Sequence, residues 1–339
     1  YSMHRENSPV RTLGHVNPRG FVKGARTIAG SMIFTQFNEY AFYRIASYRK
    51  ILSDSKGYFA PLADMLPPFD IVFTFFNEYD LLDIRLEEHY DHVDHFVLIE
   101  SNRKFGGENK PLLFHENRSR YSKYLDKIIH KPIFFPKEMD FGLEFGSNQA
   151  AEYVHRDYTK EAVAEFSDRD IILCSDVDEI PNPHQFDKLR NLFTNHEDLI
   201  VRLVQEMYYY DLTNKQELLW ARSYACRKTL FDKHTPNHIR LNSYKLESNE
   251  MFFDIYDGGW HLTNFMPIAN LIEKILNYPH EVYITEQNLN LNVIRERIAA
   301  GIDLFGREDV KIAKSELSSI SPHFLNAFER WKQYNGEVL

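Results

Sequence analysis

Residues 69–76 have the sequence FDIVFTFF, a short apolar run rich in β-branched and aromatic side chains. Such a run predicts a strand that is buried on both faces. After it, Asp80 can cap a helix in which Leu82 and Leu86 share one face. A second strand is predicted at 95–99. A strand–helix–strand unit of this kind places its two strands side by side and parallel.

The alternation of strands and helices continues along the chain. Strand-like runs at 128–135 and 170–175 lie on either side of a helical stretch at 149–166. Alternating strands and helices indicate an α/β layered domain. Before this domain, residues 1–20 are polar and predict a loose arm, whereas residues 27–53 carry apolar side chains at helical spacing.

The composition is that of a globular protein with a sizeable core, because 43% of the residues are hydrophobic and 26% are charged. The net charge of -9 argues against a nucleic-acid partner, since phosphates need a basic face. No run of about 18 apolar residues is present, so no membrane-spanning segment is predicted. The two cysteines form no disulfide framework or zinc spacing, and a buried free thiol is expected at Cys174.

The sequence does not determine the cellular compartment of the protein. The chain begins with Tyr1 rather than Met, so a signal or anchor could have been removed. The expected location is the Golgi lumen if the N-terminus carried a membrane anchor, and the cytoplasm otherwise.

The strongest local signal lies where the apolar run IILC at 171–174 continues into SDVDEIP at 175–181. Ligands of open α/β sheets bind beyond the carboxyl ends of the strands. Asp176 and Asp178 can face one site, because residues i and i+2 of an extended chain point the same way. Two such carboxylates suit a hard divalent cation that also binds phosphate oxygens. The alternative is a capped loop that leads into a helix after Pro183.

A second motif is GGWH at 258–261, where two glycines allow a close approach of the backbone to a ligand. Trp260 offers a face on which a sugar can stack, and His261 could be a third metal ligand or an acceptor contact. The alternative is a tight turn with a packed tryptophan. Tyr208 and Tyr210 could line a sugar groove, although alternate tyrosines on a strand more often pack.

Several common catalytic motifs are absent from the sequence. There is no G-x-x-x-x-G-K-[ST] loop, no G-x-G-x-x-G, no G-x-S-x-G and no H-E-x-x-H. These absences argue against P-loop kinases, dinucleotide-binding dehydrogenases of the usual type, α/β-hydrolases and zincins.

Several blocks of sequence, taken in order, resemble glycosyltransferase family 17, which includes N-acetylglucosaminyltransferases that act on N-glycans. The blocks are residues 76–86, 93–102, 110–112, 126–130, 175–181 and 258–261, with a weaker match at 298–307. They divide the chain into an N-terminal arm and helical extension at 1–67, a catalytic domain at 68–307 and a C-terminal helical extension at 308–339. Residues 182–257 match only loosely, which leaves the acceptor open.

The resemblance implies a GT-A type, Rossmann-like nucleotide-sugar-binding fold with a mostly parallel central sheet flanked by helices. It implies inverting transfer of a sugar, expected to be N-acetylglucosamine, from a UDP-sugar to a hydroxyl of a glycan or glycoprotein acceptor. By the same analogy Asp176 and Asp178 form the motif that holds Mn²⁺ or Mg²⁺, with Asp176 also near the donor. The other expected donor-binding residues are Asn77, Glu78, Glu100, Ser101 and Lys110.

An inverting transferase needs a base that takes the proton of the acceptor hydroxyl. Glu179 is the first candidate because it adjoins the aspartate pair, although it could equally be a structural partner of an arginine or a backbone amide. Glu281 is the alternative, and Asp254 and Asp257 are weaker ones.

Two other functions compete with glycosyl transfer. One is a catalytically silent carbohydrate-binding protein on the same fold. The other, ranked lower, is a sugar nucleotidyltransferase. Such an enzyme would carry a glycine-rich basic loop after the first strand, where this chain has the acidic residues 77–80, NEYD.

Overall fold

The computed structural model describes residues 2–10, 20–29, 67–242, 251–316, 324–326 and 329. The chain divides into two compact units, residues 1–65 and 66–339. In the first unit, strand β1 (Ser2–Val10) pairs antiparallel with β2 (Gly20–Ala29). These strands correct the prediction of a loose arm, because their backbone groups pair with each other. Residues 27–29 belong to β2 rather than to the predicted helix, whose remainder lies outside the described residues.

The second unit contains strands and helices in alternation. Its strands are β3 (Phe69–Thr74), β4 (His95–Ser101), β5 (Ile128–Ile133), β6 (Ile171–Cys174), β7 (Glu179–Pro181), β8 (Leu199–Tyr209), β9 (Asn214–Gln216), β10 (Trp220–Arg227), β11 (Met251–Ile255), β12 (Gly259–Thr263) and β13 (Ile312–Lys314). Its α-helices are α1 (Tyr79–His89), α2 (Leu113–Glu116), α3 (Phe141–Phe145), α4 (Asn148–Ala162), α5 (Phe186–Asn195), α6 (Lys228–Phe231), α7 (Pro236–Asn242), α8 (Ile268–Leu276) and α9 (Leu291–Ala300). Short 3₁₀ helices lie at Arg118–Tyr124, Pro183–Gln185 and Glu281–Tyr283. None of the helices within the described ranges is long and apolar enough to cross a membrane.

These eleven strands of the described residues form one sheet. Eight of them follow the order β13-β9-β8-β10-β6-β3-β4-β5, while β11 and β12 pair with β8 and β7 pairs with β12. The parallel part of the sheet, β6-β3-β4-β5, contains the predicted strand–helix–strand unit, and the α/β class is confirmed. Beyond β6 the sheet is mixed, because β10 runs antiparallel to both β6 and β8. Residues 210–219 connect β8 to β10, and a parallel crossover needs a longer connection.

The sheet continues past the predicted end of the catalytic domain. Strand β13 pairs antiparallel with β9, although its residues fall in the predicted C-terminal helical extension. Helical structure is described there only at 324–326 and 329. The boundary predicted at residue 307 is therefore corrected to lie beyond Lys314.

The core lies on both faces of the parallel strands. Phe69, Ile71 and Phe73 pack into one apolar cluster, whereas Val72 packs into another on the opposite face. Side chains alternate across a strand, so an uninterrupted apolar run is buried on both sides. Cys174 is buried and unpaired, as predicted.

The two glycines at 258 and 259 allow backbone segments to approach each other closely. A Cβ atom on Gly258 would lie 2.6 Å from the amide nitrogen of Val204, and one on Gly259 would lie 2.1 Å from the carbonyl oxygen of Ile180. Gly259 also has a φ of 132°, which side chains rarely permit. The close approach predicted here is therefore to neighbouring strands, and it brings β12 against β7.

An acidic cluster lies at the amino ends of the parallel strands. Asp70 is fully buried, its Oδ1 lies 2.8 Å from His95 Nδ1, and its Oδ2 has no hydrogen-bond partner. Burial raises the pKa of Asp70 to about 7, the His95 contact opposes this, and the charges of Asp170 and Asp94 add to the rise. The folded protein therefore holds a proton on Asp70 that the unfolded chain releases near pH 4.

The Asp70→Asn substitution tests this interpretation. Between about pH 4 and 7 the folded state binds more protons, so its stability is expected to fall with rising pH by up to about 4 kcal/mol. In the variant this slope should flatten, which chemical unfolding at pH 5, 6, 7 and 8 can measure. Asp91→Asn, on an exposed turn, is the control that should keep the slope. An unchanged slope in the Asp70 variant would contradict a buried proton there.

Candidate active site

The loop between β6 and β7 carries the Asp-Val-Asp-Glu motif, and helix α1 holds its backbone. Arg85 of α1 is fully buried and donates hydrogen bonds to this loop. Its acceptors are Val177 O at 3.2 Å, Ser175 Oγ at 3.0 Å, Asp176 O at 2.5 Å and Glu179 O. Burial lowers the pKa of Arg85 to about 10, so the side chain remains charged at neutral pH. One arginine therefore fixes the loop that presents the two aspartates.

Asp178 lies against two cationic or potentially cationic side chains. Its Oδ1 is 3.6 Å from His261 Nε2, and its Oδ2 is 3.5 Å from Lys274 Nζ. His261 reaches this position because β12 pairs with β7 and the amide of Leu262 donates to Asp178 O at 2.8 Å. Burial alone would raise the pKa of Asp178, but His261 and Lys274 outweigh it and lower the pKa to about 2. Asp178 is therefore ionised at neutral pH.

Asp176 has different partners from Asp178. Its Oδ1 accepts from Arg156 Nε at 3.2 Å, and its Oδ2 accepts from Arg156 Nη2 at 3.1 Å and Arg240 Nη2 at 2.7 Å. Both guanidinium groups are buried, and together they occupy both oxygens. No arginine contacts the Asp178 carboxylate in the part of the chain that the structure describes, so Asp178 is the better placed of the two for a cation, and the shared site of both aspartates stays a prediction.

Glu179 lies in a closed network instead of facing a substrate. Its fully buried carboxylate accepts from Arg240 at 2.6 and 2.9 Å, Trp220 Nε1 at 2.5 Å, Ser223 Oγ at 2.8 Å and the Asp176 amide at 3.0 Å. Burial raises the pKa of Glu179, but Arg240 outweighs burial and lowers the pKa to about 2. A base needs reach of its proton and a pKa near the working pH. The structure thus favours the structural alternative for Glu179 over its assignment as base.

Asn77 and Glu78 line a cavity of about 170 Å³ between the start of α1 and the loop before α8. Glu78 Oε2 accepts from the amides of Phe76 at 3.1 Å and Asn77 at 3.0 Å. Asn77 Nδ2 donates to Glu273 Oε2 at 3.3 Å, while Asn77 Oδ1 is buried without a hydrogen-bond partner. These two predicted donor residues border the cavity, and Asn77 contributes a buried acceptor without a partner among the described residues.

The other three predicted donor residues are buried in a structural network. Glu100 accepts from Lys110 Nζ at 3.0 Å and the Phe114 amide at 3.1 Å, and His130 Nε2 lies 3.1 Å from it. Lys110 and Ser101 are also buried, and the Ser101 hydroxyl accepts from a nearby backbone amide. Glu100 and Lys110 neutralise each other with almost no exposed surface, and the donor-binding role of these three residues stays a prediction.

The predicted acceptor residues pack in the core. Tyr208 and Tyr210 are buried, and Tyr210 donates its hydroxyl proton to Ile302 O at 2.8 Å. Trp260 is 5% exposed and stacks on Phe324 with ring centroids 4.4 Å apart. The structure favours the packing alternative for all three rings, and their acceptor contact stays a prediction.

The remaining candidate bases lie in separate places. Glu281 is exposed and accepts from the Asn148 amide at the start of α4 at 3.0 Å. Asp254 forms an ion pair with Arg202 at 2.6 Å, and the Asp257 carboxylate accepts from Asn182 at 3.1 Å. Among these three, Asp254 is the carboxylate that a cation neutralises in the described part of the chain, whereas Glu281 and Asp257 accept only from neutral groups.

Four cationic residues of this site were missed from the sequence: Arg85, Arg156, Arg240 and Lys274. Arg85 had a usable signal, since it adjoins Leu86 on the apolar face of α1. Arg156 and Arg240 lie on different helices and meet only at Asp176, so no local spacing reveals them.

The residues of this site can supply some, but not all, of the ligands of a divalent cation. In the described ranges, no group of three or more His, Cys, Asp or Glu side chains is arranged to hold a metal ion. Asp178 and His261 nevertheless offer an oxygen and a nitrogen 3.6 Å apart. Two ligands that are each about 2.1 Å from one ion lie about 3 to 4 Å apart. The pair therefore fits two positions, with the others left to phosphate oxygens and water, as is usual for Mg²⁺.

Comparison with curated proteins gives a partial match to two enzymes. A stretch of 109 residues, 31% of this chain, is 33% identical to the human β-1,4-mannosyl-glycoprotein 4-β-N-acetylglucosaminyltransferase. The rat enzyme of the same name matches equally. The match spans 20% of the length of each relative.

Among solved structures, GalNAc-T7 with UDP, GalNAc and Mn²⁺ is similar with a TM-score of 0.40 and 9% sequence identity. That similarity covers 80% of this chain and 57% of the other. The model of glycosyltransferase family 17 matches residues 66–314. This range is well over half of the chain and includes β3 through β13, so the chain belongs to glycosyltransferase family 17.

Proposed function

We propose that this protein transfers N-acetylglucosamine from a UDP-sugar to a hydroxyl of a mannose-containing glycan on a glycoprotein, with inversion at the anomeric carbon. Family membership supports glycosyl transfer. The names of the two partial relatives support the donor sugar and the mannosyl acceptor. The GT-A mode of donor binding, beyond the carboxyl ends of the parallel strands, is part of the same proposal.

The observation that carries the proposal is the group of Asp178, His261 and Lys274 beyond the carboxyl end of β6. An ionised carboxylate, an imidazole and an ammonium group meet there, and the helix that carries Lys274 also lines, through Asn270, the cavity of Asn77 and Glu78. A UDP-sugar needs a place for its uracil and ribose and a cationic place for its diphosphate. The cavity and the charged group are suited to these two parts.

In this mechanism the protein mainly supplies a rigid and charged surface. Asp178 and His261 would hold Mn²⁺ or Mg²⁺, and a bound cation would neutralise the charge that develops on the departing diphosphate. Arg85 fixes the loop backbone, while Arg156 and Arg240 fix Asp176. Groups held in place before the reaction need no reorganisation when charge develops.

In this proposal the base is Glu281, which was the alternative to Glu179 in the sequence analysis. Its carboxylate is exposed and lies beside the start of α4, the helix that carries Arg156 toward Asp176. It would take the proton of the acceptor hydroxyl as that oxygen attacks the anomeric carbon. Glu281→Gln should then lower kcat and leave UDP affinity unchanged.

The decisive experiment measures UDP release from UDP-N-acetylglucosamine with Mn²⁺, with and without a glycopeptide that carries a β-1,4-linked mannose. We expect release that depends on the glycopeptide and a product with one added N-acetylglucosamine. UDP binding without release would favour the silent carbohydrate-binding alternative. Formation of UDP-N-acetylglucosamine from UTP and the sugar 1-phosphate would favour a nucleotidyltransferase.

A further inference from the structure

The cations around the aspartate motif differ in how fully carboxylates neutralise them. Arg240 lies between Asp176 and Glu179 at 2.7 and 2.6 Å. Arg156 lies between Asp176 and Glu152 at 3.1 and 2.8 Å. Two carboxylates therefore hold each guanidinium group. Their negative charges offset its positive charge, so it attracts a further anionic ligand only weakly.

Lys274 is held much more loosely. Its ammonium has one ion pair within 4 Å among the described residues, to Asp178 at 3.5 Å. The side chain retains 21% of its surface exposed, compared with 7% for Arg240 and 6% for Arg156. A lysine ammonium is a compact charge that binds phosphate well as a point charge. Of these three cations, Lys274 is thus the one that a soluble anion can reach.

Helix α8 contributes both to the cavity lined by Asn77 and to the surroundings of Asp178. Leu271 and Ile275 anchor the helix in the core. Pro267 and Asn270, at its start, line the cavity with Asn77. Lys274 follows Asn270 by four residues, so the two share one face of the helix. The same helix therefore borders the cavity and places an ammonium group beside Asp178.

We propose that Lys274 binds the diphosphate of the nucleotide-sugar donor. This inference rests on the proposed function, because it assigns one contact of that donor. When the bond between the anomeric carbon and the diphosphate oxygen breaks, its electron pair stays on that oxygen, and the ammonium stabilises the added charge. The acceptor oxygen forms the new bond to the anomeric carbon and loses its proton to the base.

The position of Lys274 has an opposite consequence for a metal ion. A positive charge 3.5 Å from Asp178 repels a divalent cation as long as no anion is bound. A diphosphate that lies between the Lys274 ammonium and the metal ion would bind both of them. Lys274 is therefore expected to weaken Mn²⁺ binding to the free protein and to strengthen binding of UDP. Opposite effects on these two affinities are specific to a diphosphate contact.

The test compares Lys274→Met with the wild type by titration calorimetry of UDP, uridine and Mn²⁺. UDP affinity in the presence of Mn²⁺ is expected to fall roughly 10- to 100-fold, the range for one charge-assisted hydrogen bond. Uridine affinity should stay unchanged, because uridine has no phosphate. Mn²⁺ affinity without nucleotide should rise by about 3- to 10-fold. Lys274→Arg should keep most of the preference for UDP over uridine.

The matched control is Lys104→Met, which removes a nearby positive charge that is 3.1 Å from Glu273. Equal losses of UDP affinity in both variants would show a general field effect and overturn the assignment. Equal losses of UDP and uridine affinity in Lys274→Met would also overturn it. If the wild-type protein binds neither UDP nor uridine, the proposed function fails instead. Thermal unfolding of each variant checks that it is folded.

Discussion

Replacing Arg240 with leucine is expected to lower the free energy of unfolding by about 3–5 kcal/mol, the usual cost of removing one partner from a buried ion pair. Arg240 is buried and donates to both Asp176 and Glu179. Without it the Glu179 carboxylate would remain fully buried with its negative charge uncompensated. This is among the largest effects expected for a single substitution in this chain.

Urea unfolding at pH 7 measures this effect. Adding Glu179→Gln to the Arg240→Leu variant removes the uncompensated charge and should recover about 1–2 kcal/mol, since Trp220 and Ser223 keep an acceptor. Arg120→Leu is the matched control on the surface, because Arg120 pairs with Asp80 and is 41% exposed. That control should cost at most about 1 kcal/mol. A similar loss for both arginines would show that the Arg240 network is not buried as described.

Asp178→Asn is expected to lower Mn²⁺ affinity on the order of 100-fold and to lower sugar transfer at least as much. Asp178 is the carboxylate of the motif that faces His261, whereas arginines occupy Asp176. An amide retains the shape but loses the charge, and a neutral oxygen attracts a divalent cation less strongly than a carboxylate does.

Mn²⁺ titration followed by electron paramagnetic resonance measures the metal affinity without relying on catalysis. Asp168→Asn is the matched control, because Asp168 begins the other Asp-x-Asp sequence and lies in an exposed loop. That variant should behave like the wild type. Asp176→Asn should lower stability more than metal affinity, since its partners are arginines. Equal loss of metal binding in the Asp176 and Asp178 variants would show that both aspartates are ligands, rather than Asp178 alone.

Local patterns in the sequence were sufficient for the parallel half of the fold. The apolar run at 69–76 and the helical spacing after Asp80 predicted β3 and α1, and both formed. Burial on both faces favours apolar side chains at successive positions of a strand, so a run of consecutive apolar residues is enough to predict such a strand. The antiparallel part was not predicted, because the partner of β10 depends on connections that local composition does not encode.

The sequence by itself determined that an acidic loop follows the carboxyl end of a buried strand, because both features lie within residues 171–181. Only the tertiary structure decided what each carboxylate does. Arg240 is 64 residues from Asp176 and 61 from Glu179 along the chain, and His261 reaches Asp178 through strand pairing. A carboxylate binds whichever cation the fold places within a few ångströms, and sequence spacing contains no information about that distance.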